Sequence, residues 1–429
     1  MIQFVYQLLV RLLAPFVFGL FLWRGLRDRG YWQGLHERLG LGQRLSKPSI
    51  WVHAVSVGEV QAATSLLKAL AARYPQSPLV LTTGTPTGRA RALANLGKDV
   101  ELRYLPYDSP GAVARFFDRA NPKIAIIIEK ELWPNLYREC GLRKVPLVLA
   151  SAAVSSRSVG RYRRLVVLFR ETLSHGLVIA AQSAEDAARF IEIGAPPART
   201  HVVGNIKFDA VLPFDAAQQG KAWRTHYHAE SCFTLVAGST YEAEERALLQ
   251  ASAALQAAGI AHLLVIAPRH PPRFEAVAQR LQAVGVDFVR HSLSKKERVL
   301  ARPQVLLLDT LGDLAGFYAI ADVAFVGGSL LEGVGGHNPL EPAALAVPVL
   351  MGPHVFNTRE IVETLVAEQG LQQVASSKEL SQVVIELARN ETLRQARGRA
   401  ALAVVERNRG TVARLMQLLE PLIEPTPRA

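Results

Sequence analysis

The chain has 429 residues, 49% of them hydrophobic and 20% charged, with a formal net charge of +12. That length exceeds one ordinary core and fits two domains of roughly 200 residues each, and the composition excludes a disordered or fibrous chain. The basic excess points to an anionic partner (nucleic acid, an acidic membrane surface or a phosphorylated substrate), while two isolated cysteines, Cys140 and Cys232, exclude a zinc framework and suit a reducing compartment.

Residues Ile2 to Trp23 are apolar almost throughout and long enough for a membrane-crossing helix. Gln3, Gln7 and Arg11 follow at i, i+4 and i+8 and share one face, and Pro15 is expected to kink or end the helix. A cleaved signal peptide does not fit, because the extreme N-terminus has no basic residue and no small-residue cleavage site follows. Two arrangements stay open. One is a spanning anchor, in which Arg11 costs about 2.5–3.5 kcal/mol. The other is a helix lying in one leaflet with the Gln3, Gln7 and Arg11 stripe toward headgroups. Arg24, Arg27, Arg29, Arg38, Arg44 and Lys47 against Asp28 and Glu37 predict that the body lies on the cytoplasmic side.

Beyond Pro48 short apolar runs alternate with helical stretches. Strands are predicted at Ile50–Ala54, Leu79–Thr83, Ile124–Ile128, Leu147–Ala150, Gly176–Ala181 and His201–Val203, with helices such as Val60–Arg73 and Thr87–Ala94 between them. Lys207 to Tyr227 reads as a polar interdomain linker. The alternation then restarts at Thr234–Ala237, His262–Ile266, Val305–Leu308, Val323–Val326 and Val347–Met351, and helices from Lys378 to about Leu422 close the chain. Such alternation makes parallel βαβ sheets, whose ligands sit beyond the carboxyl ends of the strands.

Five such loops carry chemistry. In Trp51-Val-His-Ala-Val-Ser-Val-Gly-Glu59, Ser56 and Glu59 have capping-box spacing, and the same carboxylate could serve as a general base; the spacing alone favours the cap. Thr85, ahead of Pro86, opens a helix whose free N–H groups attract anions, or simply starts a helix. Glu129 and Glu131 come directly off an apolar strand, where charge is seldom filler. Arg269, His270 and Arg273 follow another strand, and arginine suits phosphate or carboxylate. Gly327, Gly328 and Ser329 begin a glycine-rich loop that leads to Asn338 as N-cap, Pro339 and Glu341, a predicted phosphate cradle with an acidic ribose contact. Neither GxGxxG nor GxxxxGK[ST] occurs as dinucleotide or P-loop enzymes need it.

Taken in order, HAVSVGE, TTGTPTG, EKELWPNL, GNIKFD, AGSTYEAEE, APRHPPRF, FVGGSLLEGVGGHNPLEPA and PVLMGPHVFN resemble the 3-deoxy-D-manno-octulosonic acid (Kdo) transferases of Gram-negative bacteria. The resemblance spans nearly the whole chain. It implies an α/β GT-B fold of two Rossmann-like domains facing a central cleft, plus an N-terminal membrane-anchor helix. The expected segments are 1–24 for the anchor, 25–210 for the acceptor domain and 211–429 for the donor domain, with the last helices able to pack back on the first domain. It further implies CMP-Kdo as donor, a tetra-acylated lipid A precursor as acceptor, anionic inner-membrane lipids as the surface, inverting chemistry, and no metal or cofactor. The family's general base falls on Glu59, displacing the capping-box preference, and a second acidic residue on Glu131. Arg269, His270, Gly327, Gly328, Ser329, Asn338 and Glu341 match the region that holds CMP. Ser56, Gly58, Thr85, Glu129, Lys207, Arg157 and Arg161 are further candidates for acceptor or phosphate contact. Two segments depart from the family's pattern: Lys130 between the two glutamates, and Ser151-Ala-Ala-Val-Ser-Ser-Arg-Ser158, where an Asn, an Arg and a Glu are missing. The basic run Arg157, Arg161, Arg163 and Arg164 reads either as a solvated helix face or as a contact for lipid phosphates.

Rival readings are a GT-B transferase using a UDP-sugar, a nucleic-acid binder and an inactive lipid-binding scaffold. No aromatic-interleaved basic stripe or helix-turn-helix pattern supports nucleic acid, and Glu59 with Arg269 argues against an inactive scaffold.

Overall fold

The computed structural model describes residues 2–27, 29–97, 99–129, 131–154, 159–160, 177–209, 215–297 and 299–424. The chain divides into two compact units, Met1–Ala210 with Asn408–Ala429, and Val211–Arg407.

The first unit is built on β1 (Ser49–His53), β2 (Leu79–Thr83), β3 (Glu101–Tyr104), β4 (Pro122–Ile128), β5 (Leu147–Ala152), β6 (Leu177–Ala181) and β7 (Thr200–Val202). They pair in the order β3-β2-β1-β4-β5-β6-β7, every pair parallel. The central strands are apolar on both faces because both faces are covered, as parallel sheets require. On one side the helix Val57–Arg73 buries Val60, Ala63, Leu66, Leu67 and Leu70 against Leu81 and Ile126. On the other, Trp51 packs on Phe116 with ring centroids 4.7 Å apart. The C-terminal helix Thr411–Ile423 belongs to this unit, with Leu415, Leu419 and Ile423 in the same core as Val60. Asp209 caps it, accepting from Gly410 N at 2.7 Å and Val412 N at 2.5 Å.

The second unit repeats the plan with β8 (Phe233–Thr240), β9 (His262–Pro268), β10 (Phe288–Arg290), β11 (Val305–Leu307), β12 (Val323–Val326), β13 (Val349–Met351) and β14 (Leu371–Gln373). Their order is β10-β11-β9-β8-β12-β13-β14, again all parallel. Each sheet reverses its winding once, between β1 and β4 in the first unit and between β8 and β12 in the second. Crevices that take ligands form at such reversals.

Three sequence expectations are corrected here. The supposed linker holds a helix, Ala216–His226, whose Ala216 and Gly220 are buried; a Cβ on Gly220 would press on Gly316 O at 2.8 Å and Ala319 at 2.9 Å. Strands β3, β10 and β14 exist although no apolar run announced them. The first helix runs unbroken from Ile2 to Arg27 through Pro15. Among the described residues no helix is long and apolar enough to cross a membrane.

That first helix is held to its unit by polar contacts. Tyr6 donates from its hydroxyl to Asp108 at 2.8 Å, and Gln7 Nε2 donates to Asn135 Oδ1 at 3.3 Å. Gln7 therefore meets protein, not headgroups, which corrects the stripe expectation at that residue. Leu9, Leu12, Leu13 and Phe16 are exposed, Phe16 to 76%.

Candidate functional site

At the reversal of the first unit, the loops after β1 and β4 bring three carboxylates together. Ser56 is extended at φ −111° and caps the helix Val57–Arg73, its Oγ accepting from Glu59 N at 3.4 Å. Glu59 reaches back: Oε2 accepts from Val55 N at 2.6 Å and Oε1 from Ser56 Oγ at 3.2 Å. The helix cap is therefore made, with the carboxylate on the N–H of Val55, one residue ahead of the N-cap. It does not exhaust Glu59. Burial first, then the Glu129 charge and to a lesser degree Glu131, push its carboxyl up to about 7 against the bonds from Val55 and Ser56. A carboxyl in that range at a ligand crevice suits general-base work near neutral pH.

Glu129 stands at φ 65°, a left-handed conformation that costs a non-glycine residue of order 1–3 kcal/mol and collects at functional sites. Its N–H still donates to Ala150 O at 2.9 Å, and its carboxylate pairs with Lys207 Nζ at 2.7 Å. Lys207 sits in the short turn Ile206–Asp209, pinned where Ile206 N donates to Ser151 Oγ at 3.1 Å and Lys207 N to Asn205 Oδ1 at 3.0 Å. Ser151, at φ 53°, also accepts through its carbonyl from Gln182 Nε2 at 2.9 Å. Glu131 is placed by its own backbone, whose carbonyl accepts from Tyr137 OH at 2.7 Å.

The Thr85 loop lies alongside. Gly84 N donates to Val55 O at 3.0 Å, and a Cβ on Gly84 would meet Val55 Cγ1 at 2.8 Å, so glycine lets the two loops touch. Thr85 Oγ1 accepts from Gly88 N at 3.1 Å and caps the helix Pro86–Leu96. Gly58 has no such need, since a Cβ there would meet only Ser56 Oγ at 3.9 Å. Lys130, Arg157, Arg161, Arg163 and Arg164 lie outside the described residues.

At the reversal of the second unit, the Gly327-Gly328-Ser329 turn follows β12. Its predicted role as an amide cradle for phosphate is corrected, because Glu244, in the first turn of the helix Glu242–Ala257 that follows β8, already fills it. The fully buried Glu244 carboxylate accepts from Gly328 N at 2.9 Å, Ser329 N at 2.9 Å, Leu330 N at 3.1 Å and Tyr241 N at 3.0 Å. Burial pushes this carboxyl up from its ordinary value, and the four N–H donors oppose that shift. The Ser329 hydroxyl is also engaged, donating to Val326 O at 2.7 Å and accepting from Gly352 N at 2.8 Å.

Groups that face one another around this turn include Tyr241, Arg269, His270 and His337. The rings of Tyr241 and His337 are parallel to within 2°, with centroids 5.9 Å apart, and Tyr241 meets His270 edge-on at 5.7 Å. Burial, then the Arg269 charge and His270, hold His337 down at about 4; burial, Arg269 and Arg273 also lower His270. Both rings are thus neutral at pH 7, and His337 Nε2 is buried without a partner among the described residues. Arg269 follows β9 and is fixed by its N–H to Thr240 O at 3.1 Å.

Arg273 is a correction. Its guanidinium is consumed by the buried Glu245, at 2.9 and 2.8 Å, so it braces the fold and is not offered to a ligand. Asn338 is not the N-cap as predicted. Pro339 takes that place ahead of a helix of only 4 residues, Leu340–Ala343, while Asn338 Oδ1 still accepts from Leu340 N at 3.1 Å. Glu341 lies half-buried in that helix's first turn. Glu244 and Tyr241 were missed in the sequence. Their one signal was Tyr241-x-x-Glu244 after a strand, the spacing already noted at Ser56-x-x-Glu59. Among the described residues no cluster of His, Cys, Asp and Glu could hold a metal ion.

Two parallel α/β units, each with a ligand crevice at the reversal of its sheet, are the Rossmann-like halves of the GT-B fold. The solved glycosyltransferase from Rickettsia africae ESF-5 shares this fold, with a TM-score of 0.56 at 13% identity over 89% of this chain and 100% of that one. Residues 33–210 match the family model described as 3-deoxy-D-manno-octulosonic-acid transferase (kdotransferase). The chain is 37% identical to the 3-deoxy-D-manno-octulosonic acid transferase of Haemophilus influenzae, over 98% of this chain and 99% of that protein. It is 36% identical to the transferase of the same name from Bordetella pertussis, over 97% and 98%. The chain belongs to the Kdo transferase family and is a glycosyltransferase.

Proposed function

We propose that this enzyme moves Kdo from CMP-Kdo to the tetra-acylated lipid A precursor of lipopolysaccharide, with inversion and with Glu59 as general base. The observation that carries the mechanism is the Glu59 carboxyl, pushed up to about 7 at the β1/β4 reversal. In the proposed step Glu59 takes the proton of the acceptor hydroxyl and the freed oxygen attacks the anomeric carbon. The bond from that carbon to the CMP phosphate oxygen breaks, and CMP leaves with the electron pair. Arg269 offsets the charge that grows on the departing phosphate, the kind of preorganised contact that lowers such barriers. Glu131 lies close enough to act on Glu59 electrostatically, and in this reading it serves the acceptor side. Lys207, held by Glu129, offers the acceptor's phosphate a cation.

The attachment surface in this reading is the exposed apolar face of the first helix, with anionic inner-membrane lipids on the cytoplasmic side. Leu9, Leu12, Leu13 and Phe16 support it. Tyr6 and Gln7 tie that helix to Asp108 and to Asn135 in the first turn of the helix Pro134–Leu142.

The test is transfer of Kdo from CMP-Kdo to the precursor by wild type, Glu59→Ala and Glu59→Gln, with CMP binding measured in parallel. Product from wild type and a loss of about 10²–10⁴-fold in both variants at unchanged CMP affinity is the expected result. Variants that stay active and merely melt earlier would reduce Glu59 to a helix cap. Displacement of the bound donor by UDP and not by CMP would move the donor assignment to a UDP-sugar.

A further inference from the structure

Three consecutive amides aimed at one point form an anion site, and such nests usually await a ligand's phosphate. Here the anion is part of the chain. Glu244 places one oxygen on Gly328 N and the other on Ser329 N and Leu330 N, and adds Tyr241 N as a fourth donor. The packing leaves no slack: a Cβ on Gly327 would collide with Ser239 O and meet Glu244 Oε2 at 2.8 Å. Ser239 itself stands at φ 58° at the irregularity near the end of β8, so that strand end is held in a conformation that costs energy.

The carbonyl side of the same turn is equally committed. Gly328 O accepts from Gly336 N at 2.7 Å, Gly327 O from His337 N at 3.1 Å and Ser329 O from His354 N at 2.9 Å. The turn therefore joins three loops, those after β8, β12 and β13, and Glu244 is the only charged group inside it among the described contacts. Through Tyr241 N it fixes one ring of the parallel pair; through the turn's carbonyls it fixes the backbone of the other, His337, one residue before Asn338.

We infer that Glu244 is a positioning residue for the donor: its carboxylate stands permanently where a ligand's anion would otherwise sit, and so holds Tyr241, His337 and Asn338 in the arrangement that receives the nucleotide. The inference rests on the donor reading above. It also says where the donor phosphate does not go. The Gly-Gly-Ser amides are closed to it, and Arg269 must carry that charge.

Removing the side chain opens the nest to a small anion of the same shape, so formate is the probe. In Glu244→Ala, amide exchange at Gly328, Ser329 and Leu330 should quicken, CMP-Kdo affinity should fall by at least about tenfold, and formate should restore both while chloride does not. Glu244→Gln sets an NH₂ against N–H donors yet still fills the space, so it should lose affinity and resist rescue. Wild-type affinity and exchange in Glu244→Ala, or a loss that formate leaves untouched, would overturn the inference. If Glu244→Ala does not fold, Glu244→Gln decides alone, and a wild-type KM for CMP-Kdo overturns it. If wild type fails to bind CMP-Kdo, the donor reading falls, while the exchange and formate results still judge the plug.

Discussion

Glu59 and Glu244 occupy the same place in the two halves. Each follows the strand at which its sheet reverses, and each sits at the third position of a helix with its carboxylate turned back onto a backbone N–H ahead of that helix. Their surroundings differ. Glu244 receives four backbone N–H bonds inside a sealed turn, whereas Glu59 receives one amide and one hydroxyl and faces the charges of Glu129 and Glu131. The first arrangement holds a carboxylate still on four fixed donors; the second leaves a carboxyl that burial and neighbouring charge push up to about 7. The difference teaches that the cap is shared scaffolding, and that chemistry comes from how many donors and which neighbours surround it.

If the comparison holds, the two glutamates should fail differently. Neutralising Glu59 should remove turnover by about 10²–10⁴-fold and spare donor affinity; neutralising Glu244 should raise the donor KM. An interchange of these phenotypes would break the comparison.

Stability gives the next largest contrast. Because the folded Glu59 carboxyl titrates near 7 and the unfolded one near 4.5, the folded state holds an extra proton between those values. Its contribution is full below pH 4.5 and is lost as pH rises through 7. Chemical denaturation should therefore show wild type losing about 3 kcal/mol relative to Glu59→Gln across that window. No pH dependence in that difference would remove the electrostatic account of the site.

Arg269→Ala sharpens the donor side. With the Gly-Gly-Ser amides occupied, loss of one charge-assisted contact, about 1.5–3 kcal/mol, should raise the CMP-Kdo KM by roughly 10–100-fold. An unchanged KM would return the phosphate to the turn.

Much of this was legible in the sequence, and the exceptions have physical causes. The buried strands announced themselves because a two-sided sheet needs apolar runs such as Ile124–Ile128. Strands β3, β10 and β14 were silent because each is a short sheet edge that mixes polar with apolar residues, as in Glu101-Leu-Arg-Tyr104 or Leu371-Gln-Gln373, and so shows no apolar run. The helix Ala216–His226 hid behind Gln218-Gln-Gly220, polar residues whose glycine serves close packing, not a turn. At the site, spacing found Glu59 but could not decide between cap and base, since one carboxylate makes the cap bonds and carries the shifted titration. Nor could it find Glu244. In Glu242-Ala-Glu244-Glu245 only tertiary folding decides which acid turns inward, and here Glu244 and Glu245 both do, one into the turn and one onto Arg273.

The most direct test of the central claim, that Glu59 is poised as the base, is the pH dependence of kcat/KM for Kdo transfer in wild type and Glu129→Gln. Activity in wild type should fall with unit slope below about pH 7, as the carboxylate takes up its proton. Removing the Glu129 charge should move that limb to lower pH. A profile flat between about pH 5 and 8, or a limb that Glu129→Gln leaves in place, would contradict the account.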